Sequence, residues 1–285
     1  MGNILEPKIF KTVEEFQFHE PLLDDNSNGL YFNNIYIPEE VVFKVLTFLS
    51  PKEALKYTLV CRKWCNIIKS DLYWRELMRL NSDEKPGDFP WYVYYCYLTT
   101  KNFKNLMQNG NGANQFKHWE LMQNGGNGIV VEREPIGCDP LPKEPEFETS
   151  KSCFATSFGY GTMQQVIDLT NKRLLRYILK QFNLPICASD WTAGRFDCTS
   201  IFNIMVRLIS NDTSGNPMIS EKGESVLLLD PDRTQWRKVE LIITDYPKNI
   251  IKIEFIQQGK DKQFWAGNYG AKMSGAVVKI LLHKP

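Results

Sequence analysis

At 285 residues, with 43% hydrophobic and 24% charged side chains, the chain suits one large domain or two modest ones, folded over most of its length. A formal net charge of +1 weighs against the broad basic surface with which proteins grip nucleic acid. Seven cysteines with no CxxC pair, and only three histidines beside them, speak against a zinc site of the usual spacing.

The chain begins Met1-Gly2-Asn3-Ile4-Leu5-Glu6. Glu6 stands where the myristoylation motif wants Ser or Thr, so lipidation at Gly2 is not expected. No signal peptide or continuous apolar span appears, which predicts a reducing, cytoplasmic setting with no stable membrane insertion. Residues 1–30 are polar and end in Asp24-Asp25-Asn26-Ser27-Asn28-Gly29, and they read as a disordered segment.

A dense helical block follows, within 34–80. Pro38 suits a first helical position, where its missing N–H costs nothing. Val41, Val42, Val45, Leu46 and Leu49 supply an apolar face. Ser50-Pro51-Lys52-Glu53 is a capping box that dates the next helix start, and Asp71 is a cap candidate for a further helix. So small a unit buries little surface, and Phe43, Phe48, Trp64 and Trp74 add large apolar groups to it. The pattern suits a miniature core and a partner surface equally well. Cys61 and Cys65 share a helical face. They read as buried thiols, since no further ligand pattern accompanies them.

Residues 81–103 read as a linker, with the aromatic run Trp91-Tyr92-Val93-Tyr94-Tyr95-Cys96-Tyr97-Leu98 as a packed connecting segment. Leu-Met-Gln-Asn-Gly occurs at Leu106 and again at Leu121, an echo too short to define a repeat. From Gln164 onward the pattern turns to strands. Residues 201–209 and 250–256 alternate apolar and polar, while 226–229, 239–243 and 276–282 are β-rich. Leu174, Leu175, Ile178, Leu179 and Phe182 interrupt them at helical spacing. The expected class is α+β multidomain, a small helical unit ahead of an antiparallel β-sandwich over 104–283.

Two resemblances give these segments a function. Ile37-Pro38-Glu39-Glu40, Phe48-Leu49-Ser50-Pro51, Leu59-Val60-Cys61-Arg62-Lys63-Trp64 and Leu72-Tyr73-Trp74-Arg75 together resemble an F-box, with Ile37 in place of the commoner leucine. The resemblance implies docking onto a Skp-type adaptor that links to a cullin scaffold, with Pro38, Glu40, Val42, Leu46 and Leu49 as contact candidates.

From Lys104 onward the chain resembles the F-box-associated domain of glycoprotein-binding F-box proteins, which implies that the sandwich has a jelly-roll, galactose-binding-like form. The landmarks are Lys104-Asn105-Leu106-Met107-Gln108-Asn109, Trp119, Gly125-Gly126-Asn127-Gly128, Phe154-Ala155-Thr156-Ser157-Phe158, Gln165-Val166-Ile167-Asp168-Leu169, Asp190-Trp191, Gly194-Arg195-Phe196-Asp197 and Phe264-Trp265-Ala266-Gly267. In the best-known members of that family the sandwich reads the chitobiose core of high-mannose N-glycans on misfolded glycoproteins, delivering them to ubiquitination and ER-associated degradation, while other members bind glycans poorly or not at all. Carried over, the sugar site would use Phe158, Asp197, Phe264, Trp265 and Ala266. Aromatic planes suit the C–H faces of sugar rings, and an ionised carboxylate suits their hydroxyl rim. Gly259 and Gly267 are expected to allow the tight turns that present these side chains.

Departures are Gly110 where proline is usual, Phe264 where established glycan binders have tyrosine and Asn268 where tryptophan is common; Ala266 replaces a lysine found in one such binder, although alanine also occurs in the family. The lost hydroxyl at Phe264 removes a hydrogen bond worth on the order of 1 kcal/mol. Read without the resemblance, Phe158 and Trp265 also suit core positions and Asp197 a surface turn.

A ligase receptor whose sandwich binds a protein or peptide surface is the alternative to the glycan. A glycosidase would need a second carboxylate beside Asp197, and nothing marks Asp190, Glu254 or Asp261 for that role. No P-loop, Ser-His-Asp order or metal constellation occurs, so a non-catalytic adaptor without cofactor or metal is expected. Asn211-Asp212-Thr213 is a glycosylation sequon that a cytosolic chain would not have modified.

Overall fold

The computed structural model describes residues 29–82, 85–147, 150–211, 214–229 and 231–283. Gly2, most of the segment expected to be disordered, and Asp212 and Thr213 of the sequon lie outside the described residues. The chain divides into two compact units, one running up to Asn102 together with Arg173–Leu175, the other comprising the rest from Phe103.

The first unit opens with a short hairpin, β1 (Tyr31–Phe32) and β2 (Ile35–Tyr36), followed by helices α1 (Glu39–Leu46), α2 (Pro51–Tyr57), α3 (Arg62–Ile68), α4 (Asp71–Asn81) and α5 (Trp91–Thr99). Gly29 and Leu30, read from sequence as the end of the loose segment, are fastened: Trp64 Nε1 donates to the Gly29 carbonyl at 2.9 Å, and Leu30 is buried. Helix α2 begins at Pro51 as the capping box predicts. The Ser50 hydroxyl, however, donates to Glu53 Oε2 at 2.7 Å rather than capping a backbone N–H. Helix α4 is capped by Ser70, whose Oγ accepts from Tyr73 N, and not by Asp71. Asp71 is already helical, and its carboxylate accepts the Trp91 N–H at 2.7 Å at the start of α5. Cys61 caps α3, its sulfur accepting from Trp64 N at 3.5 Å.

The core of this unit is aromatic. Tyr73 and Trp74 are fully buried and meet edge to face at 5.7 Å, and Trp74 meets Tyr95 likewise at 5.4 Å. Their polar ends are satisfied, Trp74 Nε1 by the Ile68 carbonyl and Tyr73 OH by the Leu46 carbonyl. The stretch expected as a linker is thus structural. Its aromatic run forms α5, and Val93, Tyr94, Tyr95 and Cys96 are buried.

In the second unit the strands are β3 (Glu120–Asn124), β4 (Val130–Glu132), β5 (Cys153–Ala155), β6 (Gly161–Asp168), β7 (Ile186–Ala193), β8 (Ser200–Asn211), β9 (Pro217–Leu228), β10 (Arg237–Ile243), β11 (Ile250–Asp261) and β12 (Lys272–Ile280), with α6 (Arg173–Phe182) between β6 and β7. Two five-stranded antiparallel sheets result, ordered β10-β7-β12-β5-β4 and β3-β6-β11-β8-β9. Period-two alternation makes this possible: Phe202, Ile204, Val206 and Leu208 on β8, and Ile253 and Phe255 on β11, are buried while their neighbours are not. The strands before residue 161 carried too few alternating positions to be legible. Helix α6 buries Leu174, Leu175, Ile178 and Leu179 as its spacing predicts, and ends at Asn183 in left-handed conformation. Inside the sandwich, Lys272 Nζ reaches both Glu132 carboxylate oxygens at 2.7 Å with the lysine fully buried, clamping β12 to β4.

Candidate ligand loops and docking face

Four connections at one end of the sandwich, residues 125–129, 156–160, 194–199 and 262–271, are stitched to one another by hydrogen bonds. Asp261 N donates to the Ser157 carbonyl, Thr156 N to Ala271, Lys262 N to Thr199 and Gly125 N to Tyr160, all between 2.9 and 3.1 Å. Side chains complete the web. Ser157 Oγ donates to the Gly267 carbonyl at 2.7 Å and accepts from Asn127 N at 2.9 Å; Gly267 N in turn donates to Asn127 Oδ1. Asn268, where the family pattern has tryptophan, pins the same loop by donating to the Gly128 carbonyl at 2.7 Å.

All residues read from sequence as sugar contacts sit on these connections. Phe264 is 70% exposed, with a left-handed backbone (φ 59°) fixed by its N–H donating to buried Asp261 Oδ1 at 2.7 Å. Trp265 is 42% exposed and stands edge-on to Tyr269 at 5.6 Å; Ala266 is exposed and Phe158 half-buried. Asp197 receives Arg195 Nε at 2.9 and 3.2 Å. The same guanidinium lies 4.3 Å over the Tyr269 ring, which ties Asp197's loop to Trp265's.

Tyr269 and Lys260 are not singled out by the sequence, and Arg195 only as part of the landmark that holds Asp197. Lys260 Nζ sits 4.3 Å over Tyr160 and 5.7 Å from the Phe264 ring. Their only sequence signal is their closeness to Asp197 and Trp265 in the chain. Gly267 does adopt a conformation that favours glycine (φ 123°), but Gly259 does not turn. It lies buried within β11, where a Cβ would come within 2.9 Å of Thr156 Oγ1 and 3.0 Å of Ala271 Cβ, so close packing is its role. A cavity of about 780 Å3 lies elsewhere, lined by Cys138, Pro140, Leu141, Pro142 and Phe147; it contains none of the sequence-derived sugar contacts. Since extended ligands also bind on exposed aromatic tips, cavity size does not displace the loop cluster as the candidate site.

In the helical unit, the apolar positions of α1 split between two faces. Val42 and Leu46, one turn apart, are 3% and 2% exposed and belong to the core. This corrects their assignment as contact residues: neither offers side-chain surface to a partner. The opposite stripe is Val41, Val45 and Phe48, the last 82% exposed, with Leu59 (88%) and Val60 beyond α2. Pro38 and Glu40 are exposed and Leu49 half-buried. A contiguous run of exposed apolar side chains on so small a unit marks an interaction face.

Among the described residues no cluster of His, Cys, Asp and Glu is arranged to hold a metal, and no helix is long and apolar enough to cross a membrane. Asp190, weighed as a catalytic partner, is fully buried in the sandwich. Burial pushes its carboxyl well above the ordinary value, although the Trp191 N–H holds one oxygen.

Known proteins share both segments. Residues 97–280 match the family described as F-box associated region, and 35–79 match the F-box-like family. F-box only protein 17 of Homo sapiens is 28% identical over 269 residues, covering 86% of this chain and 91% of that protein. F-box only protein 6 of Bos taurus is 29% identical over 249 residues, with 86% and 91% covered. F-box only protein 2 of Bos taurus is 26% identical over 279 residues, with 94% and 91% covered. The agreement spans both units in the same order, and the chain belongs to the F-box-associated family of F-box proteins.

Proposed function

We propose that the chain is the substrate-recognition subunit of an SCF-type cullin ubiquitin ligase, acting in the cytoplasm on high-mannose glycoproteins bound for ER-associated degradation. Its helical unit fastens to a Skp-type adaptor through Val41, Val45, Phe48, Pro38, Glu40 and the accessible part of Leu49. Val42 and Leu46 hold that face in shape from inside. The loop cluster reads the chitobiose core of the glycan.

One observation carries this reading: exposed Phe264 and Trp265 share a hydrogen-bonded loop cluster with a carboxylate, Asp197, which is linked to Trp265 through Arg195 and Tyr269. A sugar ring laid on Trp265 would bury its C–H face, with its hydroxyls turned toward Asp197. Arg195 orients that carboxylate through its Nε–H, and a carboxylate is a stronger acceptor than a neutral oxygen. Preorganised loops spare the ligand the cost of ordering them. Ubiquitin transfer then gains from proximity, since tethering makes the encounter effectively intramolecular, and no catalytic residue is required of this chain.

A second reading replaces the glycan with a protein or peptide surface. It is favoured by Lys260 near the Phe264 ring and by Arg195 already occupying Asp197. A glycan array separates the two. Binding of chitobiose-containing glycans by the wild type, abolished by Trp265→Ala, supports the sugar. An array without signal, from a chain that still captures glycan-free substrates, supports the protein surface.

A further inference from the structure

Strand β9 closes one edge of its sheet, and among the described residues no strand pairs with its outer side. Such an edge presents a row of backbone N–H and C=O groups and is ordinarily blunted by a bulge, a short length, proline or charged side chains, of which β9 carries Glu221, Lys222 and Glu224. Here the strand is long, Pro217–Leu228, and its register against β8 runs unbroken from Asn211↔Pro217 to Ser200↔Leu228. Proline occurs only at its first residue. Met218, Ile219 and Leu227 are exposed, at 47%, 58% and 41%.

The strand is complementary to itself. Turned antiparallel about Gly223, it sets Lys222 opposite Glu224, Glu221 opposite Ser225, Ser220 opposite Val226 and Ile219 opposite Leu227. Every Lys–Glu and apolar pair then occurs twice, as a two-fold axis requires. Sliding by one pleat repeat in either direction destroys the match, because Lys222 meets Lys222 or Glu224 meets Glu224. Like charges directly opposite one another are unfavourable in a sheet, so the charges select one register. Gly223 at the centre carries no side chain where the two strands cross. Lys222 Nζ donates to the Ile242 carbonyl at 2.6 Å, and its remaining N–H groups are available for a carboxylate on the same face.

We propose that two copies of this chain pair through β9 about Gly223, joining their sheets into one continuous antiparallel sheet. The inference is independent of the glycan and of the adaptor.

The test is sedimentation velocity of the full chain at about 50 μM, a concentration that populates a micromolar association. The wild type is expected to be dimeric. Lys222→Glu and Glu224→Lys each place like charges in both symmetry-related pairs, and each is expected to raise the dissociation constant about ten-fold or more. Mixing the two variants restores opposite charges at both positions and should regain a dimer that neither forms alone, which also shows that both are folded. A monomeric wild type, single variants that associate as well as the wild type, or a mixture that stays monomeric would each overturn the proposal.

Discussion

The two units expose apolar side chains for opposite reasons. In the helical unit the core is too small to take every apolar residue that its helices carry, so the surplus emerges as a stripe: Val42 and Leu46 go inward, while Val41, Val45 and Phe48 stay out. In the sandwich the core is ample, and Phe264 and Trp265 are held outside it by a lattice of loop hydrogen bonds. One surface is what packing leaves over; the other is built against packing. A residue's part in stability and its part in binding should therefore separate differently in the two halves.

The largest effect is expected where the sandwich depends on a buried charge. Lys272→Met strands Glu132 without its counter-ion and should cost about 3–5 kcal/mol in denaturant unfolding. A loss below about 1 kcal/mol would mean that β4 does not rely on this clamp.

Next comes the split within α1. Leu46→Ala should cost about 2–4 kcal/mol through its cavity, whereas Phe48→Ala should stay within about 0.5 kcal/mol in stability and weaken adaptor capture instead. Equal stability costs at the two positions would erase the distinction drawn for the helical unit.

A smaller effect follows from Asp190. Its folded pKa is raised by burial, so the folded state holds a proton that the unfolded state releases above the ordinary carboxylate range. Its contribution is fully present below about pH 4 and is lost as pH rises toward the folded value. Asp190→Asn should therefore gain stability relative to wild type with rising pH, by at most about 1.4 kcal/mol per unit. A pH-independent difference between the two chains contradicts the buried, neutral carboxyl.

The smallest expected change is on the ligand side. Phe264→Tyr returns a hydroxyl to the exposed loop and should strengthen chitobiose binding by about 1 kcal/mol, with no change in melting temperature.

Much of the fold was legible because its signals are periodic. The alternation in β8 and β11, the spacing of Leu174, Leu175, Ile178 and Leu179, and the capping box at Ser50 each express one local rule. Periodicity failed where a segment was apolar all round. The run around Tyr94 is a helix because it packs on Trp74, a contact that no local pattern encodes. It failed too on α1, where Val41, Val42, Val45 and Leu46 are equally apolar and only tertiary packing decides which pair faces inward. The loop cluster was reached through family likeness alone. Arg195 over Tyr269, and Asn127 bonded to Gly267, join positions far apart in the chain, so sequence spacing carried no trace of them.

The central claim is that one chain holds an adaptor and a glycan by independent surfaces. Its most direct test is affinity capture of the wild-type chain with a Skp-type adaptor and a high-mannose glycoprotein, followed by elution with free chitobiose. The account predicts that chitobiose releases the glycoprotein and leaves the adaptor bound, and that Phe48→Asp loses the adaptor while keeping the glycoprotein. Retention of the glycoprotein through the chitobiose wash, or loss of both partners together, would contradict it.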